Sequence, residues 1–440
     1  MAFPELDRLR AEIADMQIIT PFGLVTEVSG GTILASGLRR RARLGDRVAL
    51  RCRGERIGGE VIGLGAEVQI LADRAPEGLA IGDRVELLEA KGIAPDTSWI
   101  GRVIDPFGQP LDGRPLARGP ARRDLRADPP PAAHRRRLGP RLETGLCAFN
   151  TMLPLVRGQR IGLFAGSGVG KSTLLAQFAR GVSADVVVLA LIGERGRELR
   201  EFIEKVLGPE GMARSVIVAA TSDQSPLIRR RCAWAAMTVA EFFRDQGKQV
   251  LFLADSVTRF AEAHREVALA GGEAPSLRGF PPSVSHQIMS LAERAGPGVE
   301  GSGDITAIFS VLVAGSDMEE PVADILRGTL DGHVVLDRAI AERGRFPAVD
   351  LLRSVSRSLP DAASAAENAL IGQARRLLGA YDRAEMMIQA GLYAAGSDPA
   401  IDAAIRVWPA LDAFLGEPEP VNAATSFTRL AQALAGAEAP

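Results

Sequence analysis

The alternation of apolar and polar positions changes period three times along the chain. At the start, Leu6, Leu9, Ile13 and Met16 recur at intervals of three and four, with acids and arginines between them. That is the spacing of one amphipathic helical face, and it predicts a helix over residues 1–18. A helix so short is marginal in water by itself, so it must lie on its own domain or on a partner. From Phe22 to about Glu89 the period falls to two. The tetrapeptide Gly-Asp-Arg-Val occurs at Gly45–Val48 and again at Gly82–Val85, and each copy runs into alternation, Val48/Leu50 and Val85/Leu87. Each reads as a turn followed by a half-buried strand. Several such strands within residues 19–90 predict a small closed β-barrel; the alternative is a loose sheet leaning on the next domain. Periodicity is lost over residues 100–145, which are rich in Gly, Pro and Arg, including Pro129–Pro131 and Arg135–Arg137. This is connector chemistry, and the basic run reads as a solvated loop. From Arg160 to about Val335, near-continuous apolar runs (Ile161–Ala165, Val186–Ile192, Val250–Ala254, Ile305–Val313) alternate with helical stretches. Such runs predict a parallel sheet covered on both faces. Past Pro360 the chain is alanine-rich and helical in propensity. The expected fold is α/β: a small N-terminal β-barrel, a parallel-sheet core over 91–360, and a C-terminal helical domain over 361–440.

Composition removes several classes of function. The 440 residues are 46% hydrophobic and 24% charged with a formal net charge of -2, so no global basic field points to nucleic acid or membrane. No apolar run approaches the ~20 residues of a membrane helix, and the first residues lack a charged-then-apolar leader pattern. A cytoplasmic protein is expected, reaching a membrane only through partners. Cys52, Cys147 and Cys232 lie far apart with no metal-ligand spacing, as reduced, buried thiols would. The four histidines are scattered as well.

The chemistry concentrates in the middle of the chain. Ala165-Gly-Ser-Gly-Val-Gly-Lys171-Ser172 follows the apolar run Ile161–Phe164 and opens a helix with Leu174, Leu175 and Phe178 on one face. In a strand–loop–helix of this kind, glycines let backbone N–H groups curl around phosphate oxygens, and the helix N-terminus favours anions. Gly166, Ser167, Gly168, Val169, Gly170 and Thr173 thus form the cradle, Lys171 reaches the outer phosphates, and the Ser172 hydroxyl is placed for Mg²⁺. Asp255 ends the run Val250–Ala254, the position from which a strand-end aspartate helps hold Mg²⁺ in such enzymes. Gly193-Glu194-Arg195 follows Val186–Ile192. All three signals fall at the C-terminal ends of parallel strands, where open α/β sheets bind ligands. A carboxylate there can orient the water that attacks the γ-phosphate; Glu194 is favoured, with Glu198 and Glu201 close behind it.

These residues, with others, resemble the rotary ATP synthase subunit superfamily over nearly the whole chain. The matching strings are Gly101–Asp105 with Gly108–Gly113, the phosphate loop, Gly193–Arg195, Val239–Asp245, Asp255–Arg259, and Pro347–Asp350 leading to Ser354–Arg357. Within the superfamily the chain is most similar to the ATPases of type III protein export, and among them to the flagellar member. That narrower resemblance rests on Pro321–His333, Arg278–Ser283 and Gly396–Pro399. It implies that ATP and Mg²⁺ are used, that Lys171 and Ser172 bind phosphate and Mg²⁺, that Glu194 is the water-orienting carboxylate, that Arg195 sits near the phosphates, and that Asp255 belongs to the metal shell. It further implies that Phe346 packs on adenine with Tyr393 on the other side, and that Arg357 reaches the neighbouring subunit's site. The implied assembly is a homohexamer. Its implied partners are a dimeric regulator at the N-terminal helix, a central stalk protein, the export gate, substrates and their chaperones, at the cytoplasmic face of the inner membrane. The segment ahead of the barrel is short for a flagellar export ATPase.

Competing functions each demand something different. An injectisome ATPase would share this chemistry entirely. A proton-pumping synthase subunit would need a second kind of subunit in its ring. An RNA translocase would need aromatic stacking platforms near the N-terminus, and residues 22–90 hold only Phe22. A non-catalytic nucleotide-binding subunit would not be expected to keep Lys171, Glu194, Asp255 and Arg357 together.

Overall fold

The two Gly-Asp-Arg-Val copies become equivalent corners of one barrel. In the computed structural model, which describes residue 13 and residues 19–88, 92–313, 318–419 and 421–437, Gly45 and Gly82 both adopt positive φ, 87° and 90°. The next residue of each copy locks its turn in the same way: Asp46 accepts from the Arg43 N–H and Asp83 from the Ala80 N–H, both at 2.8 Å. The strands that follow, β3 (Arg47–Cys52) and β6 (Arg84–Leu88), pair antiparallel, with Val48 opposite Leu87 and Leu50 opposite Val85. With β1 (Phe22–Ser29), β2 (Thr32–Ser36), β4 (Glu55–Leu64) and β5 (Val68–Ala72) they close a barrel in the order β1-β2-β5-β4-β3-β6. Ile33, Val48, Leu50, Val68, Ile70 and Val85 fill it and are fully buried. Closure removes the open edges that a loose sheet would expose. The expected helix over residues 1–18 lies outside the described residues apart from Ile13.

The core sheet runs β15-β14-β8-β13-β11-β9-β10-β7, with the short β12 on β13. Its strands are β7 (Arg102–Ile104), β8 (Arg160–Ala165), β9 (Val186–Glu194), β10 (Ser215–Thr221), β11 (Val250–Asp255), β12 (Gly296–Pro297), β13 (Asp304–Leu312), β14 (Gly332–Leu336) and β15 (Val349–Ser356). The central strands are parallel and almost wholly buried, as their apolar runs require. Three details depart from the sequence reading. The supposed connector contributes β7, which pairs in parallel with β10 at the sheet edge. The last strand is antiparallel: β15 turns back on β14, placing Val349 opposite Leu336 and Ser356 opposite Gly332. The basic run is a clamp more than a solvated loop. Arg135 donates to the Glu293 carbonyl at 2.9 Å, and Arg136 to the Asp304 carboxylate and Ser302 carbonyl, both at 2.7 Å.

Helices α1 (Lys171–Gly181), α2 (Pro226–Arg244), α3 (Val257–Ala270) and α4 (Ser283–Glu293) belong to the core, and α5 (Ala365–Gln389), α6 (Pro399–Gly416) and α7 (Ala423–Leu434) form the helical end. Ser364 and Glu367 make a reciprocal capping box that starts α5. Leu411, Phe414, Phe427 and Leu430 share one apolar cluster with Leu174 and Phe178 of α1, so the helical end packs behind the phosphate loop. The three cysteines are free and buried.

Candidate active site

The sheet order separates β8 from β9, which follows it in the chain, by two strands, β13 and β11. Chain reversal of this kind opens a crevice at the carboxyl ends of the strands. The phosphate loop leaves β8 into that crevice. Gly168 and Gly170 have φ of 78° and 86°, a left-handed backbone that side chains resist. Gly170 caps α1, so Lys171, Ser172 and Thr173 form its first turn with their N–H groups unpaired within the helix. The loop is also held from above. Arg338 donates to the Ser167 carbonyl at 3.1 Å. The Phe346 ring lies so close that a Cβ on Gly170 would sit 3.1 Å from it.

Gly166, Ser167, Gly168, Gly170, Lys171, Ser172 and Thr173 line a cleft of about 440 Å³, together with Glu194, Arg195 and Glu198. Val169 is buried beneath it. The Lys171 ammonium rests on the Asp255 carboxylate. Asp255 ends β11, is buried, and accepts a 2.8 Å hydrogen bond from the Ser310 hydroxyl of β13. Glu194 is the last residue of β9, one strand away. Burial, then the neighbouring Asp255 charge, push its carboxyl up to about 7; Lys171 opposes the rise and Glu198 adds to it. Ser172, Glu194 and Asp255 also line a smaller cavity of about 220 Å³ whose wall includes Leu191, Leu199 and Phe202. That apolar wall is the physical source of the desolvation at Glu194.

Other expected residues stand further off. Arg195 is exposed at the cleft mouth and pairs with Glu198 at 2.9 Å. Phe346 is half exposed beside the loop. Tyr393 does not line the cleft: it sits in the α5–α6 turn, its hydroxyl donating to the Asp402 carboxylate at 3.0 Å. Arg357 follows β15 at the opposite end of the sheet, its N–H bonded to the Asp331 carbonyl at 3.0 Å. Leu336 of β14 is level with Ala165 at the loop. The run back from Leu336 to Asp331 is thus about 16 Å of strand. Two cleft arginines were not singled out for roles in the sequence. Arg229 is the fourth residue of α2 and Arg259 lies in the first turn of α3. The Asp255–Arg259 string held a signal for the second. Nothing in the local pattern marked Arg229, which reaches the cleft through tertiary packing alone.

A phosphate loop, a buried strand-end aspartate and a desolvated carboxylate on one edge of a parallel sheet define a P-loop nucleotide hydrolase. Residues 145–356 match the ATP synthase alpha/beta family, nucleotide-binding domain, and residues 363–435 match the T3SS EscN ATPase C-terminal domain. The chain is 44% identical to a flagellum-specific ATP synthase of Caulobacter vibrioides, covering 97% of this chain and 99% of that protein. It is 41% identical to the flagellum-specific ATP synthase of Salmonella typhimurium (93% and 92%) and 40% identical to a type 3 secretion system ATPase of Xanthomonas euvesicatoria (93% of each). The assembled ATPase EscN from the enteropathogenic E. coli type III secretion system superposes with a TM-score of 0.86 at 37% identity, covering 94% of this chain and all of EscN. The chain belongs to the ATP synthase alpha/beta family, in its branch of flagellum-specific ATP synthases and type III secretion ATPases, and is an ATPase of type III export.

Proposed function

We propose that the chain works as a homohexameric ring that hydrolyses Mg-ATP to drive export of flagellar proteins. Support for the flagellar side comes from the flagellum-specific relatives, which reach 44% identity over nearly the full chain. An injectisome role is the second reading, favoured by the likeness to EscN. Lys171 neutralises charge on the outer phosphates, and the loop N–H groups of Gly166 to Thr173 hold them in line. Ser172 and Asp255 offer hard oxygen donors suited to Mg²⁺, which would supply charge neutralisation at the phosphates. Glu194 orients the attacking water and accepts its proton, and Arg195, Arg229 and Arg259 supply positive charge around the cleft. Phe346 forms the adenine platform; Tyr393 joins it only if the α5–α6 turn moves.

The observation that carries the ring is the position of Arg357. With its backbone a strand's length from its own phosphate loop, it serves a neighbouring cleft, stabilising charge on the transferring phosphoryl group. Working divisions at 19–90, 91–360 and 361–440 follow, with residues 1–18 binding a dimeric regulator. The solved complex of EscN with its central stalk EscO supports a stalk partner here, with the export gate, substrates and chaperones beyond it. No described helix is long and apolar enough to cross a membrane, and we place the ring at the cytoplasmic face of the inner membrane through its partners. Native mass spectrometry with and without a non-hydrolysable ATP analogue tests the assembly. A six-subunit species is expected; a chain that stays monomeric at concentrations where it hydrolyses ATP overturns the ring.

A further inference from the structure

Ser310 interrupts the apolar run of β13, between Phe309 and Val311, and it is fully buried. A buried hydroxyl needs a partner, and this one donates its proton to the Asp255 carboxylate at 2.8 Å. Strand register makes the contact. β11 and β13 run parallel with Ala254 opposite Phe309, so Asp255 and Ser310 are level and their side chains leave the same face of the sheet. Oδ1 of Asp255 accepts from both the Ser310 hydroxyl and the Lys171 ammonium. Oδ2 has no hydrogen-bond partner among the described residues, and Asp255 lines the cavity it shares with Ser172 and Glu194. The two anchors of Oδ1 differ in mobility. Lys171 carries its charge on a long flexible stem, and the phosphates of a nucleotide, with more charge than one carboxylate, draw that ammonium away. Ser310 stays. Its strand is hydrogen-bonded to β8 on one side and β11 on the other. The end of β13 is also tied to α3, where the Leu312 N–H donates to the Thr258 hydroxyl at 2.9 Å.

We propose that Ser310 is a positioning residue for ATP hydrolysis: it keeps Oδ1 of Asp255 turned inward when Lys171 leaves for the phosphates, so that Oδ2 stays presented to Mg²⁺. The proposal rests on the metal role given to Asp255 above. Without the hydroxyl, Lys171 is the only described partner of the carboxylate. The carboxylate torsion is broad and two-fold, so it is free to turn once the lysine departs.

The test measures binding of a fluorescent ATP analogue to full-length wild type, Ser310→Ala and Asp255→Asn, each in Mg²⁺ and in EDTA, with melting temperature as the folding control. Alanine nearly fills the volume of serine, and asparagine keeps the shape of aspartate, so both variants should fold. In EDTA, Ser310→Ala should bind close to wild type, because its hydroxyl bonds no part of the phosphate cradle. Its gain in affinity on adding Mg²⁺ should shrink by roughly tenfold, the scale of one hydrogen bond to a charged group. Half-maximal ATPase activity should then need correspondingly more Mg²⁺. A packing defect alone would weaken binding equally in both conditions, and that result would overturn the proposal, as would an undiminished Mg²⁺ gain. Asp255→Asn separates the two levels. If it loses the gain while Ser310→Ala keeps it, Ser310 has no such role and the metal role of Asp255 stands. If Asp255→Asn itself keeps the gain, that metal role fails and the proposal with it.

Discussion

At the scale of single residues, Glu194 carries the most testable physics. Its carboxyl is neutral below about 7 because burial and Asp255 disfavour its charge. In the proposed role of Glu194 only the charged form accepts the water's proton, so kcat/KM for ATP should fall about tenfold per pH unit as pH drops below 7. Glu198→Gln removes one of the charges that raise it and should move this limb to lower pH. An acid limb left in place by Glu198→Gln would remove Glu198 from the account. Stability gives an independent readout. A carboxyl raised in the folded state costs stability above its folded pKa and nothing once both states are protonated. Glu194→Gln should therefore bind ATP, hydrolyse it at least 100-fold more slowly, and melt higher than wild type at pH 8. That gain should shrink as pH falls from 7 towards the ordinary glutamate range. Lys171→Ala should abolish turnover, read as phosphate release.

At the scale of elements, the phosphate loop depends on glycine for two separate reasons. Gly170 combines φ of 86° with the near contact to Phe346. Gly170→Ala should cost about 1–2 kcal/mol of backbone strain and displace the ring, raising the KM for ATP more than it lowers kcat. A KM unchanged in that variant would separate Phe346 from nucleotide binding. Beneath the sheet, Arg294 is buried against Glu241 in a two-bond pair at 2.9 and 2.6 Å, and it also donates to the Leu125 carbonyl and Thr238 hydroxyl. Removing it strands the Glu241 charge, so Arg294→Ala should lose roughly 3–5 kcal/mol in a denaturant titration. The same scale shows what the sequence made legible. Val186–Ile192 and Val250–Ala254 announced buried strands because both faces are covered, and the two Gly-Asp-Arg-Val copies announced their turns because positive φ and the aspartate lock are local demands. β7 was illegible: three residues paired at a sheet edge carry too little apolar period amid Gly and Pro. The Arg135–Arg136 clamp was hidden for a related reason, since its acceptors lie more than 150 residues away. Arg229 and Ser310 joined the site through the same kind of distant packing.

At the scale of the whole molecule, the barrel, core and helical end are tied by buried contacts that share the chemistry's own elements: Arg230 to Glu60, and the α6–α7 apolar cluster behind α1. Deleting residues 1–18 removes no cleft residue and should keep ATPase activity within a few-fold, while affinity for the proposed dimeric regulator falls. In the proposed ring each site is completed by Arg357 of a neighbouring subunit. Arg357→Ala should bind ATP nearly normally and lose on the order of 10³–10⁵ in rate, the range such arginines supply. Mixing Lys171→Ala with Arg357→Ala chains under subunit exchange, then measuring phosphate release, tests that claim most directly. In a mixed ring some interfaces pair an intact phosphate loop with an intact Arg357, and these should restore measurable turnover. Mixed rings confirmed by native mass spectrometry that release no phosphate above either parent would contradict it.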